Sequence, residues 1–289
     1  MREMENNVNG KVILAGAGPG DPELVTLKTL RYLQEADVVL ADRLVSSEIL
    51  SCYVNPRATI IYVGKQCRNG HSTPQGYINA LMVEHAQLGR LVVRLKGGDV
   101  SIFSNILDEL QVLAQHNIPY EIIPGVTAAL GAAAYAGIPL TARGRSTAVR
   151  LLTYYKSDVV TESYWKELAI TSDTLVFYMS AETMGSVVSN LLANGVDAGK
   201  RIAVIGQATT PQQKVLTSTL GEYDKLLGDE KYISPTIAII GSVVELHDQF
   251  AWKENADHPE EYFTASVAND RLELNTMNID STLQKTNEF

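Results

Sequence analysis

Cysteine is almost missing from this chain: Cys52 and Cys67 are the two thiols in 289 residues. Two thiols cannot form a disulfide framework or a four-thiolate zinc site, so a reducing, cytoplasmic setting is expected. The histidines at 71, 85, 116, 247 and 258 show no ligand spacing, and no metal is expected. No apolar run approaches the roughly 20 residues that cross a bilayer. The first ten residues are polar and lack the apolar centre of a secretory signal. Neither membrane association nor export is therefore expected. Positive charge is also short: 24 Lys and Arg face 33 Asp and Glu, a formal net charge of −9. That excludes the basic surface on which general nucleic-acid binding depends. The deficit is uneven. Residues 251–289 carry −5 and residues 1–250 carry −4, so the body can still hold a local basic pocket for a small acidic ligand.

What is present is ordinary globular composition, 45% hydrophobic and 20% charged, in a length that suits one large domain or two of usual size. Short apolar runs at residues 12–15, 37–41, 60–63, 91–95 and 120–123 read as buried strands. Between them lie helical patterns, such as Ile78, Leu81, Met82, His85 and Leu88, and a small-residue helix over 127–136. This alternation predicts an α/β domain with a mostly parallel sheet over residues 10–142. The pattern breaks around Pro139 and Gly144. A second α/β domain, residues 146–250, begins with a strand at 149–154 and continues with strands at 174–178, 202–205, 215–219 and 236–240. Its threonines at 209, 210, 217 and 219 suggest an antiparallel hairpin, hence a mixed sheet. Residues 251–289 are acidic and aperiodic and read as a tail, most of it flexible or loosely docked.

Three glycine-bearing breaks fall at the carboxyl ends of predicted strands: Gly16-Ala17-Gly18-Pro19-Gly20-Asp21, Lys96-Gly97-Gly98-Asp99 and Pro124-Gly125-Val126-Thr127-Ala128-Ala129. Each alone could be a plain turn. Together they suggest a small-molecule cleft, since open parallel sheets bind ligands beyond the strand ends and glycine permits close approach. The first is a poor dinucleotide loop: its third glycine comes early and Pro19 removes an N–H that a phosphate would need. Nearby polar residues are Asp42, Arg43, Lys65, Arg68, His71, Lys96 and Asp99, each of which could equally be a solvated surface charge. Arg143, Arg145 and Arg150 cluster where the second domain begins and could meet carboxylates through forked hydrogen bonds.

Taken in order, these segments resemble the tetrapyrrole (corrin/porphyrin) methylases, which use S-adenosylmethionine (SAM). The resemblance rests on GAGPGDPELVTLK (16–28), ADRLVS (41–46), YVGK (62–65), HSTPQGYIN (71–79), VRLKGGD (93–99), PGVTAA (124–129), AYAGIPLTARG (134–144), DTLVFYM (173–179), ATTPQQ (208–213) and SPTIAIIG (234–241). The DRLVS, HSTPQ and AYAGIPLT segments look most like uroporphyrinogen-III C-methyltransferases.

The resemblance implies two α/β domains with SAM in the cleft between them, S-adenosylhomocysteine as product, and a homodimer. It implies methylation of uroporphyrinogen III at C2 and C7 to precorrin-2, which feeds siroheme and cobalamin. A later corrin precursor as substrate is the alternative. By position, Pro19, Gly97, Gly98, Asp99, Ile102, Phe103, Thr127, Ala128, Met179, Ala208, Thr236 and Ala238 would line the SAM pocket. Arg43, Leu44, His71 and Arg143 would face the tetrapyrrole. Asp42 matches the position of a general base, and Lys65 that of a proton donor or of a partner for a substrate carboxylate. Three departures from the family pattern lie on the substrate side: Asn105 replaces a usual arginine, Ala142 a usual histidine, and Tyr154-Tyr155 a usual Gly-His.

Overall fold

Short strands that are apolar on both sides need cover on both sides, which a parallel sheet obtains from its crossover helices. The computed structural model describes residues 10–64, 73–154 and 161–263. Its first half runs β1 (Lys11–Gly16), α1 (Leu27–Glu35), β2 (Val38–Ala41), α2 (Ser47–Tyr53), β3 (Thr59–Tyr62), α3 (Gln75–Gln87), β4 (Leu91–Lys96), α4 (Ile106–Gln115), β5 (Tyr120–Ile123) and α5 (Ala128–Tyr135). The strands form one wholly parallel sheet in the order β3-β2-β4-β1-β5.

The period of two sends alternate side chains to opposite faces. Ile13, Ala15, Val39, Val93 and Leu95 pack against Tyr32 and Leu33 of α1 and Ile49 and Leu50 of α2. Val12, Leu14, Val38, Leu40 and Val92 pack against Ile78, Met82 and Ala86 of α3 and Leu113 of α4. β1 and β2 therefore pass the chain to one face, and β4 passes it to the other. Because β4 lies between β1 and β2, the connections part at its carboxyl end and leave a crevice there.

The second half runs β6 (Val149–Thr153), α6 (Glu162–Ile170), β7 (Thr174–Tyr178), α7 (Met184–Ala193), β8 (Arg201–Gly206), β9 (Lys214–Thr219), α8 (Tyr223–Leu227), β10 (Thr236–Ile240) and α9 (His247–Phe250). Its sheet is mixed, in the order β6-β7-β10-β8-β9, with β6 parallel to β7 and the other pairs antiparallel. The expected hairpin is β8–β9. One face, including Leu175, Phe177, Val204 and Ile240, packs on Trp165 and Leu168 of α6 and Val187 and Leu191 of α7. The other face is covered by α5 together with Val243 and Val244: Ala129, Ala132, Ala133 and Ala136 meet Val176, Ala203, Ile205, Ile237 and Ile239. The small side chains let the helix sit close to this sheet. The covalent link between the halves lies near residues 142–146, but α5, which precedes it, completes the second core.

Several elements differ from the sequence expectation, the short helices α8 and α9 among them. α2 falls in a stretch without amphipathic period; Ser46 starts it by accepting the Ile49 N–H at 3.3 Å. Residues 251–263, part of a tail expected to be flexible or at most loosely docked, are held by specific contacts. Trp252 donates to the Ala134 carbonyl at 2.8 Å, Asn255 pairs with Val215, and Phe263 is buried. Backbone partners on α5 and β9 hold a segment that has no periodicity of its own. Residues 264–289 lie outside the described residues.

Candidate functional site

The three glycine loops meet at the crevice. Gly18 and Gly98 exchange hydrogen bonds at 3.1 and 2.7 Å, which zips the β1 loop to the β4 loop. A Cβ on Gly16 would lie 2.6 Å from the Gly98 carbonyl and 2.7 Å from Gly125 Cα, so the third loop is pressed against the first two. Asp99 ties them together: its carboxylate accepts the Gly125 N–H at 2.9 Å and the Ser101 N–H at 2.8 Å. Gly98 has φ +69, and a Cβ there would meet just Ala128 N, at 3.7 Å. The side of Gly98 that faces the start of α5 is thus a shallow backbone cradle.

The second half closes over this cradle. The Tyr178 hydroxyl at the end of β7 accepts the Ala129 N–H at 3.1 Å and shares a hydrogen bond with the Thr127 hydroxyl at 2.7 Å. Burial pushes the Tyr178 phenol up, so it stays a neutral hydrogen-bonding group. The Phe103 ring packs on it at a tilt of 59°, centroids 5.0 Å apart. Asp21 donates its N–H to Thr209 Oγ1 at 3.0 Å and accepts from the Tyr135 hydroxyl at 2.6 Å. Burial and that carboxylate push Tyr135 up to about 12. Six described residues other than glycine have left-handed φ, and five of them are in these loops: Phe103, Asn105, Met179, Gln207 and Thr209. Such backbone costs about 1–3 kcal/mol each and gathers where geometry matters to a ligand.

Beside the cradle, Asp42 directly follows β2, about a third exposed, with one oxygen accepting the Arg43 N–H at 2.9 Å. Its other oxygen is 3.8 Å from the Arg94 guanidinium. Leu44 packs on Gly97, where a Cβ would sit 2.7 Å from Leu44 Cβ. Arg94 and Lys96 of β4 point to the α4 face and are buried there with Glu109 between them, at 3.1 and 3.0 Å. Burial holds the Lys96 amine below its usual range, opposed by the Glu109 charge. A fully buried carboxylate is tolerated because two cations satisfy it. This network fixes the floor from which Asp42 and Gly97 emerge.

The structure gathers Pro19, Gly97, Gly98, Asp99, Ile102, Phe103, Thr127, Ala128, Met179 and Ala208 in loops bordering the crevice, with Phe103 and Met179 exposed. Thr236 starts β10, and its hydroxyl donates to the Ile233 carbonyl at 3.2 Å. Ala238 is not brought there by its side chain: it is buried in the core on the α6–α7 face, away from α5. The arginine cluster is not available as a unit. Arg145 pairs with Glu245, and Arg150 with Glu167 and Asp173, because carboxylates of the second half surround both. Arg143 is exposed on the connecting turn. Lys65 and His71 lie outside the described residues. Arg94, Glu109, Tyr178 and Thr209 were not foreseen. The signal for Arg94 was available, since a cation inside the apolar run LVVRLK demands a buried partner. Among the described residues, no group of three or more His, Cys, Asp and Glu could hold a metal, and no helix is long and apolar enough to cross a membrane.

Two α/β halves that enclose a glycine-lined crevice define a small-molecule-binding protein of the open-sheet type. The family is more definite: residues 11–224 match the model of the tetrapyrrole (corrin/porphyrin) methylases, and the chain belongs to that family. A siroheme synthase of Pseudomonas aeruginosa is 46% identical over 247 residues, which cover 86% of this chain and 53% of the relative. The chain thus spans about half the length of the curated relatives it matches. A crystal structure of uroporphyrin-III C-methyltransferase from Thermus thermophilus complexed with S-adenosylhomocysteine superposes with a TM-score of 0.68 at 35% identity, covering 82% of this chain and all of that one. A cobalt precorrin-4 methyltransferase gives a TM-score of 0.70 at 28% identity, covering 81% of this chain and 95% of that one.

Proposed function

We propose that this chain is a SAM-dependent uroporphyrinogen-III C-methyltransferase that methylates C2 and C7 and yields precorrin-2 for siroheme or cobalamin. The observation that carries the reading is the knot of Gly16, Gly98 and Gly125 under Tyr178 and Thr127, with Asp42 one strand away. Higher identity to the siroheme synthase than to the precorrin-4 enzyme favours the early substrate over a later corrin. The site suits the cofactor: the Gly98 cradle admits a flat group against backbone, and Ile102, Phe103 and Met179 give it apolar contacts. When bound, SAM supplies an electrophilic methyl group and leaves as S-adenosylhomocysteine.

The protein's task is then positioning and proton transfer. The loops hold the pyrrole carbon toward the methyl donor, and the Asp42 carboxylate takes the ring proton that must leave once carbon has been alkylated. Arg43, Leu44 and Arg143 face the substrate, which carries eight carboxylates; Lys65 and His71 belong to the same assignment. A homodimer in the cytoplasm completes the proposal. The near-absence of cysteine supports the location.

An anaerobic assay with uroporphyrinogen III and methyl-labelled SAM tests it. Two methyl groups should appear on the tetrapyrrole, and Asp42→Asn should lower turnover by about 10²-fold or more, the usual weight of a general base, while SAM still binds. SAM binding without transfer to uroporphyrinogen III, or transfer only to a later corrin, would refute the reading.

A further inference from the structure

Residues 251–263 form a strap that runs along the second sheet and ends on the first half. Trp252 lies edge-on to Tyr135, centroids 5.1 Å apart, with its indole N–H on the Ala134 carbonyl. Asn255 then binds Val215 of β9 twice, accepting its N–H at 2.7 Å and donating to its carbonyl at 3.0 Å. The Ala256 N–H reaches the Gln213 carbonyl at 2.9 Å. Farther on, the strap meets the loop between β8 and β9. The Gln207 amide donates to the Glu260 carbonyl at 2.7 Å and accepts the Tyr262 N–H at 2.6 Å, while Gln212 accepts the Glu260 N–H at 2.9 Å. Phe263, buried, closes on Gly20 of the β1 loop; a Cβ there would be 3.2 Å from its ring. Burial and the nearby Glu48 carboxylate push the Tyr262 phenol up to about 12, so that phenol stays protonated at working pH.

Gln207 shows what this strap does. Its side chain is buried and satisfied at both ends by strap backbone, and its φ of 47 is left-handed. Two residues on, Thr209 has φ 70 and receives the Asp21 N–H. A strained loop persists only where its surroundings over-determine it, and a buried amide without partners is costly. Ala208 lies between these two residues.

We infer that residues 251–263 are a brace that positions the 207–210 loop and thereby sets the affinity of the cleft for SAM and S-adenosylhomocysteine. The inference rests on the proposed placing of Ala208 beside the cofactor. Gln207, Tyr262 and Phe263 are positioning residues in it, since they act through the loop.

The test compares the full chain with one ended at Phe263, one ended at Asp257, and the variants Tyr262→Pro and Tyr262→Phe. The Asp257 chain retains the Trp252, Asn255 and Ala256 anchors, which favours folding. Proline at 262 removes the N–H given to Gln207, whereas phenylalanine keeps it. Calorimetry with S-adenosylhomocysteine should show Kd about tenfold higher for the Asp257 chain and for Tyr262→Pro, in line with loss of a buried amide's partners. The chain ended at Phe263 and Tyr262→Phe should stay within twofold of the full chain. In turnover, KM for SAM should rise while KM for the tetrapyrrole stays level. Hydrogen exchange of the 207–213 amides without ligand reads the brace apart from the cofactor assignment; it should quicken in the two weakened forms alone. Unchanged Kd in the Asp257 chain and Tyr262→Pro would overturn the inference. So would a loss already present in the chain ended at Phe263, because the effect would then belong to residues 264–289.

Discussion

Glu121, on β5, is the residue on which charge is most concentrated at the sheet edge. Lys11 reaches its carboxylate at 2.7 Å, the Tyr32 hydroxyl donates to it at 2.7 Å, and Lys28 pairs with its other oxygen. These donors, Lys11 foremost, pull its pKa from 4.5 to about 2. A carboxyl held below its unfolded value adds stability that is complete above the unfolded pKa and disappears as pH falls through the folded one. The window is therefore pH 4.5 down to about 2. Solvent reaches a quarter of the side chain, so screening keeps the effect modest. The midpoint of thermal unfolding should be lower for Glu121→Gln than for the native chain at pH 7, and the gap should narrow as the pH drops through that window. A gap that is constant down to pH 2.5 would mean that the three donors stabilise the fold by packing and not by charge.

Helices differ in how much they reveal of their surroundings, and two glycines make the contrast measurable. Gly131, inside α5, faces Pro19: an added Cβ would come to 2.5 Å from Pro19 Cγ and 3.1 Å from Thr209 Cγ2. Gly185, inside α7, has nothing within 4 Å of the same position. Alanine favours a helix over glycine by up to about 1 kcal/mol. Gly185→Ala should therefore raise the free energy of unfolding by a few tenths to about 1 kcal/mol. Gly131→Ala should lower it by about 1–3 kcal/mol, because a proline ring cannot swing aside and overpacking outweighs propensity. Urea titration of both proteins checks the opposite signs; two stabilised proteins would show that the β1 loop yields to α5 without cost. The same contrast explains what was legible in the sequence. Strands and long helices were, because their apolar period is local. So were the glycine loops and Asp42, which sit where strands end. α2 was not, being two turns long with no stripe. Nor was the docking of residues 251–263, whose partners at Val215, Gln207 and Gly20 are distant in the chain and mostly backbone. Arg94 was present as an oddity within β4, but its partner Glu109 became visible only when α4 was laid across the sheet.

At the scale of the whole molecule, the two sheets are not independent bodies. The sequence breaks near residue 142, yet one face of the second sheet is covered jointly by Ala129, Ala132, Ala133 and Ala136 at α5 of the first half and by Val243 and Val244 of the second. Ties cross the same boundary, among them Thr127 and Ala129 to Tyr178, Asp21 to Thr209, and the strap from Val215 to Gly20. If the first half unfolded alone, Val176, Ile205, Ile237 and Ile239 would lose the α5 alanines and keep just Val243 and Val244 beside them, so part of the second core would face water. The halves should consequently melt together. Scanning calorimetry should show one transition in which the calorimetric and van't Hoff enthalpies agree. Two resolved transitions would mean that α5 can leave the second sheet without undoing it. On the proposed placing, S-adenosylhomocysteine touches both halves, and at about 100 times its Kd it should stabilise the folded state by about 2.7 kcal/mol. That gain should move the single transition upward as a unit, whereas a ligand held by one half alone would split it, because only the half that binds would be protected.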